Sequence, residues 1–182
     1  MEINTFINRL IETIKLIQND ESPIIETSRL ESDPDSDAYN DGDVTFIFNC
    51  AVYEIVKNEW EVNKKIGLIA EKPTGRGGYS DLTINIDGKS YINIEHENKP
   101  EEINKKTKMQ QLNHCITKLA DSKNKAEYKL LITYYSKNYG VQKLIKEVEQ
   151  YVQKIKQENK EFKLYLLYSD WKNFENYKLE EF

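Results

Sequence analysis

The sequence predicts an α/β protein, a mixed central sheet flanked by helices, and three observations carry that prediction. Runs at helical spacing alternate with strand-like runs along the chain. Residues 79–99 alternate apolar and polar side chains about Asp87-Gly88, as a half-buried antiparallel hairpin does. Residues 128–135 and 162–168 are instead continuous apolar runs, the pattern of strands covered on both faces. A helical run separates these two, so 128–168 reads as a β-α-β crossover. No internal repeat or low-complexity tract interrupts the order.

Each element has its own signal. Ile3, Phe6, Ile7, Leu10, Ile11, Ile14 and Ile17 recur at helical spacing, which makes 2–18 an amphipathic helix packed on the body. Residues 20–43 are turn-rich and acidic, but they lack the ordered alternation and terminal Glu of a calcium loop, so a solvated connection is expected. Residues 44–62 are expected to be helical, with Phe46, Cys50, Tyr53 and Val56 or Lys57 on successive turns and Glu54 in the middle. Ile66 to Ala70 is a short strand, and Pro73 to Gly78 a flexible loop carrying Arg76 into the hairpin. Met109, Leu112, Ile116 and Leu119 give a helix over 101–121. After the strand at 128–135, Val141, Leu144, Ile145, Val148, Tyr151, Val152 and Ile155 give another helix. The final segment, Trp171 to Phe182, mixes aromatics with charges and suits an extra edge strand or a dimer contact. The expected order is α-α-β-β-β-α-β-α-β in a single domain spanning 1–182. It divides into an N-terminal helix and acidic loop (1–43), a core (44–135) and a C-terminal α-β extension (136–182).

Composition narrows the function classes. With 38% hydrophobic residues, 7 Gly and 4 Pro among 182, regular structure around a good core is expected over disorder. Cys50 and Cys115 stand far apart, and no charged leader with an apolar run opens the sequence, so a cytoplasmic protein with reduced thiols is expected. No apolar run has bilayer length, which argues against a membrane role. The net charge of −5 argues against indiscriminate coating of nucleic acid. Its distribution is uneven: residues 20–61 carry 12 acids against Arg29 and Lys57, while 99–131 carry eight Lys against four acids. A phosphate-bearing substrate would be steered to the second half.

The hairpin carries the chemistry. Leu82, Ile84, Ile86, Ile92 and Ile94 fall on one face, and Asp81, Glu95, Glu97 and Lys99 on the other. If the apolar sets share a face, a three-residue Asp87-Gly88-Lys89 loop places Asp81 opposite or diagonal to Glu95 and Glu97. Three carboxylates offset only by Lys99 repel one another, and a divalent cation resolves the conflict. His96 is expected on the core side and His114 on a separate helix, which disfavours a transition-metal set.

With this order and these residues, 44–135 resembles the PD-(D/E)XK nuclease superfamily, the restriction-endonuclease-like fold. That family has an α-β-β-β-α-β core, an acid at the start of the second strand and Glu-x-Lys on the third. Asp81 in Tyr79-Ser80-Asp81 corresponds to the Pro-Asp acid, with Ser80 replacing the Pro, and Glu97-Asn98-Lys99 matches Glu-x-Lys. Lys108-Met109-Gln110-Gln111-Leu112 is similar to the family's Gln-bearing helical segment, and Glu54 sits where several members place a helical acid. Glu95-His96-Glu97 also fits a variant in which a second Glu replaces the Lys.

The resemblance implies Mg²⁺-dependent phosphodiester hydrolysis of nucleic acid, DNA in particular, with Mn²⁺ as substitute. It makes Asp81, Glu97, Glu95 and Glu54 the metal ligands. Lys99 would orient or deprotonate the attacking water, and Gln111 would position the water or a phosphate oxygen. Arg76, Lys105 and Lys108 would contact nucleic acid, and a homodimer would suit cutting of both strands. Two other readings are an inactive nuclease-like binding or assembly module, and an acidic interaction protein whose residues 20–61 engage a basic partner.

Overall fold

The structure, a computed structural model, describes residues 2–18, 41–62, 64–73, 79–97, 105–121, 123–135, 140–170 and 173–182. The order is α1 (Ile3–Gln18), α2 (Asp41–Val62), β1 (Ile66–Pro73), β2 (Tyr79–Ile86), β3 (Lys89–Glu97), α3 (Lys105–Ala120), β4 (Tyr128–Tyr135), α4 (Val141–Glu158), β5 (Tyr165–Asp170) and β6 (Asn173–Glu181). The strands form one mixed sheet in chain order, β1 to β6. β1, β2 and β3 are a meander of antiparallel neighbours; β3, β4 and β5 run parallel; β6 returns antiparallel to β5. The two parallel steps are joined through α3 and α4, as parallel strands require a long crossover.

Helices cover both faces of this sheet. On one face the α1 stripe of Phe6, Ile7, Leu10, Ile14 and Ile17 meets α2 and the inward residues of the strands, among them Ile84, Ile94, Leu130, Ile132 and Leu167. On the other, α3 and α4 bring Leu112, Ile116, Leu144, Val148 and Val152 onto Leu131, Leu164 and Leu166. Leu130 and Leu131 are adjacent in β4 and completely buried in different cores, which is why β4 reads as an unbroken apolar run. No helix among the described residues is long and apolar enough to cross a membrane.

Several expectations change in detail. Asp41-Gly42-Asp43 opens α2 instead of ending the acidic connection; residues 19–40 lie outside the described residues. The buried stripe of α2 is Ile47, Phe48, Ala51, Val52, Ile55 and Val56, while Phe46 and Tyr53 are more than half exposed. Phe46 and Tyr53 recur a heptad apart on the opposite side of the helix, so their spacing marks a face without marking which one is buried. The segment after Asp170 forms β6, an edge strand whose end is tied down by reciprocal backbone hydrogen bonds between Leu164 and Phe182, at 3.1 and 3.0 Å.

The hairpin turn is the main correction. Only Asp87 and Gly88 form the loop, with φ of 52° and 76°, and Lys89 already belongs to β3. Two consecutive left-handed residues make the tight turn that matches strand twist. A two-residue loop alone would give the wrong parity, pairing Ile86 with Lys89 and Asn85 with Ser90. An irregularity in the ladder just beyond Asn85 absorbs one residue, so Ile84 pairs with Ile92 and Leu82 with Ile94. The apolar sets thus share a face through a bulge in place of a longer loop.

Candidate active site

The β2–β3 ladder ends at Leu82 and Ile94, and Asp81 takes over beyond it. Its Oδ2 accepts the His96 backbone N–H at 2.7 Å, which fixes an exposed carboxylate at the carboxyl end of β3. This is also the carboxyl end of the parallel strands β3 to β5, the side on which open α/β sheets present ligand sites. Glu97 is the last residue of β3, half-buried, and its main-chain carbonyl accepts the Thr133 hydroxyl at 2.9 Å, tying the end of β3 to β4.

Glu95 lies two residues earlier and is completely buried. It faces α3, where Lys118 forms an ion pair with Oε2 and the Cys115 thiol hydrogen-bonds the same carboxyl group. Burial, and then the negative charge of Asp81, push the Glu95 carboxyl up to about 8, against the opposing pull of Lys118. Burial works against the Lys118 charge, but the hydrogen bond and charge of Glu95 and the charge of Asp81 outweigh it and raise the ammonium above the usual lysine value. Both groups of the pair therefore hold their protons more tightly than usual, with the Asp81 charge acting on each.

The Cys115 thiol links the carboxylates. Burial pushes it up, and the charges of Glu95, Glu97 and Asp81 all push it further, so the three acids act on one buried point. Glu97, Cys115, Gln110, Gln111 and His114 line a cavity of about 230 Å³. Gln111 thus shares a cavity with Glu97. Lys118, Cys115 and His114 are the participants that the sequence reasoning missed. Their signal is the polar stripe Gln111, Cys115, Lys118 at i, i+4 and i+7, beside the apolar stripe that fixes the rotation of α3.

Behind the site, four polar side chains are joined to one another by hydrogen bonds. Ser80 and Thr83 hydroxyls lie 2.7 Å apart, Thr83 donates to Asn93 Oδ1 at 2.9 Å, and Asn93 Nδ2 donates to Asn124 Oδ1 at 2.6 Å. All four residues are buried, so the chain of bonds fixes β2 and β3 to the loop after α3. On the opposite face His96 stacks on Phe48 with centroids 4.9 Å apart and meets Tyr134 edge-on at 5.7 Å, the core-side position the alternation predicts.

Glu54 is on α2, which packs on the face opposite Glu95, and its charge raises the Cys50 thiol after burial has done so. Lys105 and Lys108 fall in the first turn of α3. Arg76 and Lys99 lie outside the described residues. Among the described residues no group of three or more His, Cys, Asp or Glu side chains forms a metal cage. The donor set nonetheless fits a hard cation such as Mg²⁺, which is held by one or two carboxylates and keeps its remaining positions for water and phosphate. Asp81 and Glu97 are oxygen donors of that kind, with the buried Glu95 behind them. No family model, curated protein or solved structure matches the chain.

Proposed function

We propose that this protein is a Mg²⁺-dependent nuclease of the PD-(D/E)XK type that hydrolyses phosphodiester bonds in nucleic acid, DNA first among them. The observation that carries the reading is that Asp81, held by the His96 N–H, and Glu97, in one cavity with Gln111, both lie at the carboxyl end of β3 beside the parallel strands. Two carboxylates at one strand end, Asp81 and Glu97, repel each other, and a cation with a phosphate substrate offsets that repulsion. The α-β-β-β-α-β order from α2 to β4 is consistent with the same family.

In this reading Asp81 and Glu97 hold the ion, with Glu95 behind them. The bound ion supplies a water activated near neutral pH and neutralises charge on the phosphate. Asp81 is oriented by the His96 N–H at the exposed end of the strand. Gln111, in the Glu97 cavity, aligns the water or a phosphate oxygen by hydrogen bonding. Lys118 keeps a positive charge beside Glu95 and supports the cluster from below, whereas Lys99 remains assigned to the attacking water. A second reading, a nuclease-like binding module without catalysis, is favoured by the pairing of Lys118 with Glu95 Oε2, which occupies one carboxylate oxygen.

Cleavage of supercoiled plasmid, single-stranded DNA and RNA with Mg²⁺ or Mn²⁺ separates the two. Asp81→Ala and Glu97→Ala should each lower cutting by about a hundredfold or more while retaining the wild-type circular dichroism spectrum. Cutting that survives both substitutions would refute the assignment. Failure to cut any of the three substrates would leave the binding module.

A further inference from the structure

A groove of about 1010 Å³ runs along α3 from His114, which also borders the Glu97 cavity, to the loop before β4 and the end of α4. Lys118, Lys123, Lys125 and Lys129 line it, against Asp121, Glu158 and Glu161. The charges are segregated. The lysines belong to α3, the following loop and the start of β4, while Glu158 and Glu161 lie on the α4 side. Asp121 Oδ1 is already taken by the Lys123 backbone N–H at 2.8 Å. Among the described residues Lys123, Lys125 and Lys129 have no carboxylate partner; the Lys129 ammonium donates only to the Ala126 carbonyl.

Neighbouring lysines without a carboxylate partner make this wall of the groove positively charged. Lys129 is half-buried, and burial followed by the Lys125 charge lowers its ammonium below the usual value. Thr117 and Tyr151 hydroxyls, 2.9 Å apart, bridge α3 and α4 across the groove and add hydrogen-bonding groups. An anion with repeated charges, laid along the α3–β4 wall, satisfies these lysines in turn.

We propose that this groove binds the phosphodiester backbone of a single nucleic-acid strand that continues past His114 from the Glu97 cavity. Lys125 and Lys129 are its principal phosphate contacts, and Tyr151 offers a face or hydroxyl to the strand. The groove rests on the nuclease reading for the identity of its ligand, but its chemistry is that of any linear phosphate polymer.

The test is fluorescence anisotropy of a short fluorescein-labelled single-stranded oligonucleotide, in EDTA so that nothing is cut, with inorganic polyphosphate as a second probe. Lys125→Glu/Lys129→Glu should weaken binding by about tenfold or more and lower the slope of log affinity against log salt by about 1.4, near 0.7 per lost phosphate contact. The charge-matched control Lys146→Glu/Lys178→Glu, exposed positions outside the groove, should do neither. Equal loss in both pairs, or no loss in the groove pair, overturns the proposal, as does failure of the wild type to bind either probe. Polyphosphate binding that depends on Lys125 and Lys129, without oligonucleotide binding, rejects the groove's assignment to a nucleic-acid strand, while the nuclease reading stands or falls on the cleavage assay alone. Oligonucleotide binding without cleavage under Mg²⁺ upholds the groove and rejects catalysis.

Discussion

A carboxyl buried as deeply as that of Glu95 makes the stability of the fold depend on pH. Its value moves from 4.5 to about 8 on folding, so between those limits the folded state holds more of the proton than the unfolded state. The contribution is most favourable below pH 4.5 and is lost as pH rises through about 8. Each unit of separation is worth about 1.4 kcal/mol, which puts the swing on the order of 3–5 kcal/mol. Glu95→Gln keeps the shape and an acceptor for Lys118 while removing the titration. Urea unfolding at pH 5 and pH 8 should therefore show the variant gaining on the wild type by a few kcal/mol as pH rises. Parallel stability curves for the two proteins would mean that Glu95 ionises freely.

At the level of elements, the hairpin shows how local backbone chemistry sets a functional register. Gly88 has φ of 76°, and a Cβ built there meets nothing within 4 Å. Gly88→Ala is thus a conformational change without a clash, expected to cost about 1 kcal/mol in chemical denaturation. A loss of several kcal/mol would instead indicate that the pairing of β2 with β3 had shifted and carried Asp81 away from His96. This hairpin also marks what sequence can and cannot disclose. Alternation among Leu82, Ile84, Ile92 and Ile94 dictates which residues share a face, because a one-residue slip would expose the whole apolar set. Parity alone does not distinguish a three-residue loop from a two-residue turn with a bulge, and the chain uses the latter. Helices α1 and α4 and strand β4 were legible from periodicity because each buries one stripe or both faces completely. The partnership of Lys118 with Glu95 was not, since it joins residues 23 positions apart through the rotation of α3. On α2 two apolar stripes coexist, and only packing against α1 selects the buried one.

For the molecule as a whole, the sheet is a partition shared by two cores, which meet back to back in β4 and again at Leu166 and Leu167 of β5. Leu130 belongs to the core under α1 and α2, and Leu131 to the core under α3 and α4. Both side chains are completely buried, so Leu130→Ala and Leu131→Ala should each cost about 2–5 kcal/mol through lost burial and a residual cavity. The two leucines are joined by one peptide bond yet touch no common side-chain neighbours, because successive residues of a strand project to opposite faces. Their costs should therefore add to within about 0.5 kcal/mol in a double-mutant cycle, although sequence neighbours ordinarily couple. Unfolding should remain a single transition, because either core can be lost only by breaking the β3–β4–β5 ladder that both require. A coupling energy well above 1 kcal/mol would show that strain passes through the strand from one core to the other. Two resolved transitions would show that α1 and α2 can leave the sheet while the face bearing Glu95, Lys118 and the lysine groove stays folded.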